Sequence, residues 1–231
     1  MFDYKHGENL RIGQYVVIEK DCKIGENVTI EDFVVLKSGT IIGDGCTIHA
    51  GAKIGVEAFT LQAGKGNRNR GSQKGVTVLG NNVDVGYNVV VQCGVERDTI
   101  IGSHTFINNL CNIGHDIRVG QRCVIGLGTR ISGHTEIGVN TIISPGVTIL
   151  NRVKIGNNVR IGIGSLLLHD VKDNTNVVGR PAIELDKYKR ERKALKGFMG
   201  LTWKTEPIAT RKRIIPMVWS MIVKRIRSIF S

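Results

Sequence analysis

No uninterrupted apolar stretch in the 231 residues approaches the roughly 20 that span a bilayer. The opening MFDYKHGENLRIG has no signal-peptide hydrophobic region, so a cytoplasmic chain is expected. The 29 glycines form neither a Gly-X-Y run nor a Gly/Ser tract, which excludes collagen and flexible linkers and leaves glycine to serve turns. With 41% hydrophobic residues and only 4 prolines, the composition is too ordered for a disordered protein and suits one globular domain with a modest appendage. The 5 cysteines are odd in number and form no CxxC. That excludes a disulfide framework or a structural zinc and points to a reducing compartment.

A net charge of +12 raises the question of nucleic acid. Residues 1–186 carry 19 basic and 18 acidic side chains, whereas residues 187–231 carry 13 and 2. The body is nearly neutral and the tail is basic, which argues against a nucleic-acid groove along the body.

What the body does hold is a six-residue period. Ile12, Ile18, Ile24, Ile30, Leu36, Ile42, Ile48 and Ile54 open it; Leu79, Val85 and Val91 resume it; after a four-residue insertion it runs from Ile101 by sixes to Leu167. Four positions after each of these residues comes a small or β-branched one, such as Val28, Thr40, Cys46 and Ala52. Positions i and i+4 share parity in an extended chain, and six is even, so both sets face one side. In 13 of the 23 hexads glycine follows the aliphatic residue, the expected source of conformational freedom for a corner. Short strands and corners make a chain that coils, stacking isoleucines under one another. A β-sandwich would need irregular turns at wider spacing. Cys22, Cys46, Cys111 and Cys123 fall on the inward i+4 position, and Cys93 falls off it.

These hexads resemble the hexapeptide-repeat acyltransferases. The resemblance implies an all-β, left-handed, three-sided parallel β-helix with three hexads per coil, and hence seven to eight coils over residues 12 to about 172. The handedness comes from the resemblance alone, since parallel crossovers are otherwise right-handed. The expected division is a β-helix domain over residues 1–182 and a basic helical tail over 183–231.

The largest interruption, residues 60–78, carries Lys65, Arg68, Arg70 and Lys74 among four glycines. It reads either as a solvated loop or as a cationic arm for a phosphorylated substrate. It lacks the G-x-x-x-x-G-K-[ST] pattern of nucleotide hydrolysis. Among the six histidines His115 stands out, because it lies two residues past the inward Ile113, at a corner, and is followed by Asp116. An imidazole there, held by a carboxylate, is suited to general-base work. Asn108 and Asn109, one hexad back, are read equally as sugar ligands or as corner residues.

The segments ERDTIIG (96–102) and INNLCNIGH (107–115) resemble the lipid A pathway enzymes that N-acylate a UDP-linked 3-O-acylglucosamine. The segment from His115 to Gly138 is similar to the sialic acid and bacillosamine type sugar acetyltransferases. The resemblance implies that His115 is the catalytic base, that Asp116 orients it, and that the Gly133 N–H holds the thioester carbonyl. His134, one coil on, is a further acceptor- or donor-contact candidate, and Arg180 in NVVGRPA is a candidate for donor phosphates. The lipid A enzyme has a uridine-binding domain before its helix, where about 11 residues stand here, and Arg152 replaces its second histidine. These departures favour a small donor, acetyl-CoA as co-substrate, and N-acetylation of a nucleotide-linked amino sugar for surface polysaccharide. Acyl transfer from acyl carrier protein and sugar O-acetylation are the enzymatic alternatives, and a β-helical scaffold or polysaccharide-binding protein is the non-enzymatic one. No metal is expected, because no two histidines have the H-x-x-x-x-H spacing of γ-type carbonic anhydrase.

The resemblance also implies a homotrimer. The tail reads as a helix over residues 183–197, then a basic amphipathic stretch with Trp219. Residues 211–231 suit the inner face of an anionic membrane, a neighbouring subunit, or an acidic acyl carrier protein.

Overall fold

The computed structural model describes residues 4–58, 73–179 and 181–199. The chain divides into two compact units, Met1–Tyr188 and Lys189–Ser231. The first is a left-handed parallel β-helix of about nine turns.

Its three faces are three sheets of very short strands. The first sheet has eight strands, from Lys5–His6 to Lys154–Ile155; the third has eight, from Val17–Ile18 to Leu166–Leu167. The second has ten, from Arg11–Ile12 to Asn176–Val178, with Ile183–Glu184 closing it antiparallel. Neighbours are 18 residues apart in the uninterrupted coils, as in Ile113 beside Ile131 and Ile131 beside Ile149. Each coil therefore places one isoleucine on the next, about 4.8 Å higher. Ile107, Ile113, Ile125, Ile143 and Ile149 are all fully buried, and each such side chain is worth roughly 2–3 kcal/mol of apolar burial.

The i+4 position has a second requirement besides size. Its hydroxyl or thiol donates to the carbonyl 15 residues on: Thr105 to Gly120 at 3.1 Å, Cys111 to Gly126 at 3.1 Å, Cys123 to Gly138 at 3.1 Å and Thr141 to Gly156 at 2.9 Å. Threonine and cysteine fit because they are small and still carry a donor for a buried carbonyl. All five cysteines are free and buried, including Cys93, which was expected off the inward face.

Three further expectations are corrected. Gly25, Gly102 and Gly120 do not occupy the left-handed region. A Cβ on Gly102 would stand 2.6 Å from the Gly120 carbonyl carbon, and one on Gly120 2.7 Å from the Val139 nitrogen. Close approach of successive coils, rather than corner flexibility, requires glycine there. The positive-φ residue comes two places later, as at Asn27, Asn82, Asn140 and Asn158 (φ 54–55°). The extra turn arises at the ends, where the polar Lys5–His6 and the register-shifted Val177 extend the helix beyond its aliphatic pattern. Residue spacing shortens there from 18 to 16, as Ile161 pairs with Val177. Finally, the strand Thr77–Leu79 begins inside the expected insertion.

Helix α1 spans Leu185–Met199, two residues later than expected, because Ile183–Glu184 is taken up by the sheet. It runs through Gly197, which costs a helix about 1 kcal/mol without ending it.

Candidate active site

At several corners between the third and first sheets one residue adopts the left-handed conformation. In two successive coils these are Asp116 (φ 58°) and His134 (φ 60°). The residues just before them, His115 and Gly133, stack in the same way, and the His134 N–H donates to the His115 carbonyl at 2.9 Å. The repeat thus brings four sequence-predicted residues together.

Asp116 is fully buried. Its Oδ1 accepts three backbone N–H groups, from Val95 at 3.1 Å, Glu96 at 2.9 Å and Arg97 at 2.7 Å. Residues 95–97 belong to the four-residue insertion, which curls its N–H groups into an anion-holding nest. The Arg97 Nε also donates to the Asp116 carbonyl at 3.1 Å, and its terminal NH1 pairs with Glu136 at 3.0 Å. Burial pushes the Asp116 pKa upward, but the Arg97 N–H, the His115 contact and the Glu96 and Val95 N–H groups together outweigh it. The carboxyl is held below the ordinary aspartate range.

An ionised Asp116 fixes the imidazole beside it. Its Oδ2 lies 2.6 Å from His115 Nδ1 and 3.7 Å from His134 Nε2. A carboxylate only accepts, so a neutral His115 carries its proton on Nδ1 and presents the Nε2 lone pair. The two imidazoles meet edge to face, with centroids 5.1 Å apart. Both side chains remain about one-sixth exposed, at 18% and 17%.

Gly133 is required by His115. A Cβ there would stand 2.6 Å from His115 Nε2, so only glycine leaves the ring its place. Among the described residues the Gly133 N–H has no hydrogen-bond partner, while Ser132 and His134 on either side donate to Ile149 and His115. A free N–H beside a lone pair can receive negative charge as the base receives a proton.

The donor atoms of His115, Asp116 and His134 lie within 4.8 Å of one another, a spacing that could hold a metal ion. A cation among them would have to displace the proton shared by His115 and Asp116, and Asp116 Oδ1 is already saturated by three N–H groups.

The other predicted residues fall elsewhere. Asn108 and Asn109 sit at the corner between the second and third sheets, a different edge from His115. There the Asn108 Oδ1 accepts the Asn109 N–H at 2.7 Å and the Asn109 Oδ1 accepts the Tyr87 N–H at 2.9 Å. Arg68, Arg70 and Arg180 lie outside the described residues. The nest at residues 95–97 was missed. Its signal was the four-residue break in the hexads directly below the histidine corner.

The fold, the repeat and this corner define a hexapeptide-repeat β-helix resembling the acyltransferases of that class. The Bacterial transferase hexapeptide (six repeats) family matches residues 3–38 and 21–55. Within that class, the UDP-3-O-acylglucosamine N-acyltransferase of Methylobacterium nodulans is 39% identical over 70 residues, 30% of this chain and 20% of that protein. The Rickettsia conorii enzyme of the same name is 41% identical over 71 residues, 31% of this chain and 20% of its own length. The chain therefore matches about one fifth of the length of these curated relatives. Among solved structures, a UDP-N-acetylglucosamine acyltransferase from Bacteroides fragilis superimposes with a TM-score of 0.71 at 27% identity, covering 83% of this chain and 74% of that one. The acyltransferase from Acinetobacter baumannii gives a TM-score of 0.72 at 24% identity, covering 92% and 85%, a likeness of fold.

These matches overturn acetyl-CoA as the expected co-substrate. The relatives are acyltransferases of UDP-linked glucosamines rather than CoA-dependent acetyltransferases. The expectation rested on departures from the lipid A enzymes, Arg152 among them, and those departures do not report the donor.

Proposed function

We propose that the protein transfers an acyl group from the thioester of an acyl carrier protein to the amino group of a UDP-linked 3-O-acylglucosamine. The observation that carries this reading is the His115–Asp116 pair locked by the 95–97 nest. In the proposed reaction the amine attacks the thioester carbonyl, forming the C–N bond, while His115 Nε2 takes the amine proton. Ionised Asp116 stabilises the imidazolium, and the free Gly133 N–H stabilises the oxyanion. Collapse breaks the C–S bond, and the departing thiolate takes the proton from His115. His134, whose ring meets that of His115 edge to face, is read as a contact for the acceptor or the donor.

Two partners follow from the reading. Helix α1 carries Lys187, Lys189, Arg190, Arg192 and Lys193 against Asp186 and Glu191, a charge balance suited to an acidic carrier protein. A homotrimer is supported by exposed apolar residues along the edge between the second and third sheets: Tyr15, Phe33, Tyr87, Leu110, Leu127 and Ile163. A cytoplasmic location fits both substrates; no helix among the described residues is long and apolar enough to cross a membrane.

The likeness to UDP-N-acetylglucosamine acyltransferases favours a second reading, in which the acceptor atom is a hydroxyl oxygen. Product mass spectrometry with acyl carrier protein thioesters and both acceptors, UDP-3-O-acylglucosamine and UDP-N-acetylglucosamine, separates the two. An N-acylated product is expected. No acylated product with either acceptor would sink the enzymatic reading and favour a binding or scaffold role.

A further inference from the structure

The base and the oxyanion donor come from successive coils, so the spacing between those coils is part of the site. The nest at residues 95–97 is tied by main chain to the coil before it. There the Lys74 N–H donates to the Val95 carbonyl at 3.3 Å and the Gly75 N–H to the Gly94 carbonyl at 3.1 Å. A Cβ on Gly94 would stand 1.7 Å from the Arg97 carbonyl oxygen, so the curl closes on itself and admits only glycine there. Toward the coils after it, one side chain takes over.

Arg97 holds Asp116 at both ends. Its N–H meets the carboxylate at 2.7 Å, the shortest of the three nest bonds, and its Nε meets the Asp116 carbonyl at 3.1 Å. The guanidinium then reaches across that coil to Glu136, 39 residues on in sequence, at 3.0 Å. Glu136 opens the strand Glu136–Ile137, three residues after Gly133 and two after His134. Parallel register sets Arg118 and Lys154 on either side of Glu136. A carboxylate serving only the sheet would pair with those neighbours, yet Glu136 pairs with Arg97. One planar guanidinium thereby links the coil that carries the base to the coil that carries the Gly133 N–H.

We infer that Arg97 and Glu136 are positioning residues, a strut that sets the spacing between His115 and the Gly133 N–H and keeps Asp116 against the imidazole. They act through Asp116 and through the coil of Gly133 rather than on substrate. Proton abstraction and oxyanion stabilisation must occur in one geometry, and the two groups stand on different coils. A link between those coils therefore acts on kcat rather than on substrate affinity. The kinetic half of this inference rests on the proposed acyl transfer; the structural half does not.

The proton between His115 Nδ1 and Asp116 Oδ2, which lie 2.6 Å apart, gives a reading that needs no substrate. It is a low-field proton resonance in NMR spectra of the full chain, assigned by its loss in His115→Ala. Arg97→Met removes both side-chain bonds and leaves the nest N–H in place. It is expected to broaden or abolish that resonance, and to lower kcat about tenfold with KM and circular dichroism unchanged. Glu136→Gln should act in the same direction, and it carries the same two readings if Arg97→Met does not fold. The double variant should be no worse than Arg97→Met alone, since both changes cut one link. Arg118→Gln, which removes a cation from the neighbouring strand, should change neither reading. A native chain without the resonance, an Arg97→Met variant with its resonance or kcat unchanged, or additive losses in the double variant would overturn the inference. A resonance that responds to Arg97→Met in a protein that transfers no acyl group would keep the strut and sink the proposed function instead.

Discussion

At the residue scale, Asp116 decides what His115 can do. Asp116→Asn keeps the size but puts an amide where an accepting carboxylate oxygen meets Nδ1, so the imidazole loses its fixed tautomer. Acyl transfer is expected to fall by about 10²–10⁴, read as kcat with folding checked by circular dichroism. The same carboxylate links stability to pH. Its folded pKa lies below the unfolded value of about 3.9, so its contribution is full well above that value and is lost as pH falls through it toward the folded one. Urea unfolding from pH 6 to pH 3 should show a smaller loss of stability in Asp116→Asn than in the native chain; equal losses would remove Asp116 from the account. Gly133→Ala drives a methyl into the His115 ring, and because that ring is partly exposed it can swing aside. The variant should fold yet lose activity by roughly 10²-fold, the scale of a misplaced catalytic group. His115 and Asp116 were legible in the sequence because a corner histidine followed by a carboxylate is a pattern of side chains. The nest was not, since three backbone N–H groups carry no residue identity.

At the element scale, the interior hydrogen bonds explain why threonine and cysteine recur beneath the corners. Thr99 is the exception: its buried hydroxyl has no partner. Thr99→Val should accordingly leave stability unchanged or raise it, whereas Thr141→Val, which removes the bond to Gly156, should cost about 1 kcal/mol in urea unfolding. Equal costs at the two positions would mean the ladder contributes nothing. Burial raises the pKa of every cysteine thiol. Native protein should react slowly with an aromatic disulfide reagent and release its full thiol count only on unfolding. The strands were legible because a period of six keeps the aliphatic residues on one face. The purpose of the corner glycines was not, since a sequence gives no sign of how closely the next coil approaches.

At the scale of the whole molecule, the apolar edge is larger than scattered surface residues require. Light scattering should show three chains per particle, and Leu110→Glu with Ile163→Glu should yield monomers. A native monomer would leave that edge without its proposed partner. The coiled architecture could be read from residues 12–167 because each hexad repeats one rule. The donor could not, because the corner chemistry is the same for any thioester, and Arg152 in place of a second histidine was given more weight than it could carry.

The central claim is that His115, held by Asp116, moves the proton during acyl transfer to a UDP-linked glucosamine. The most direct measurement is kcat/KM for native protein and His115→Ala, with acyl carrier protein thioester and UDP-3-O-acylglucosamine, across pH 5 to 9. His115→Ala should lose about 10³-fold or more at every pH tested, and with it the pH dependence that the native protein shows. A variant that keeps native activity and the same pH profile would contradict the account.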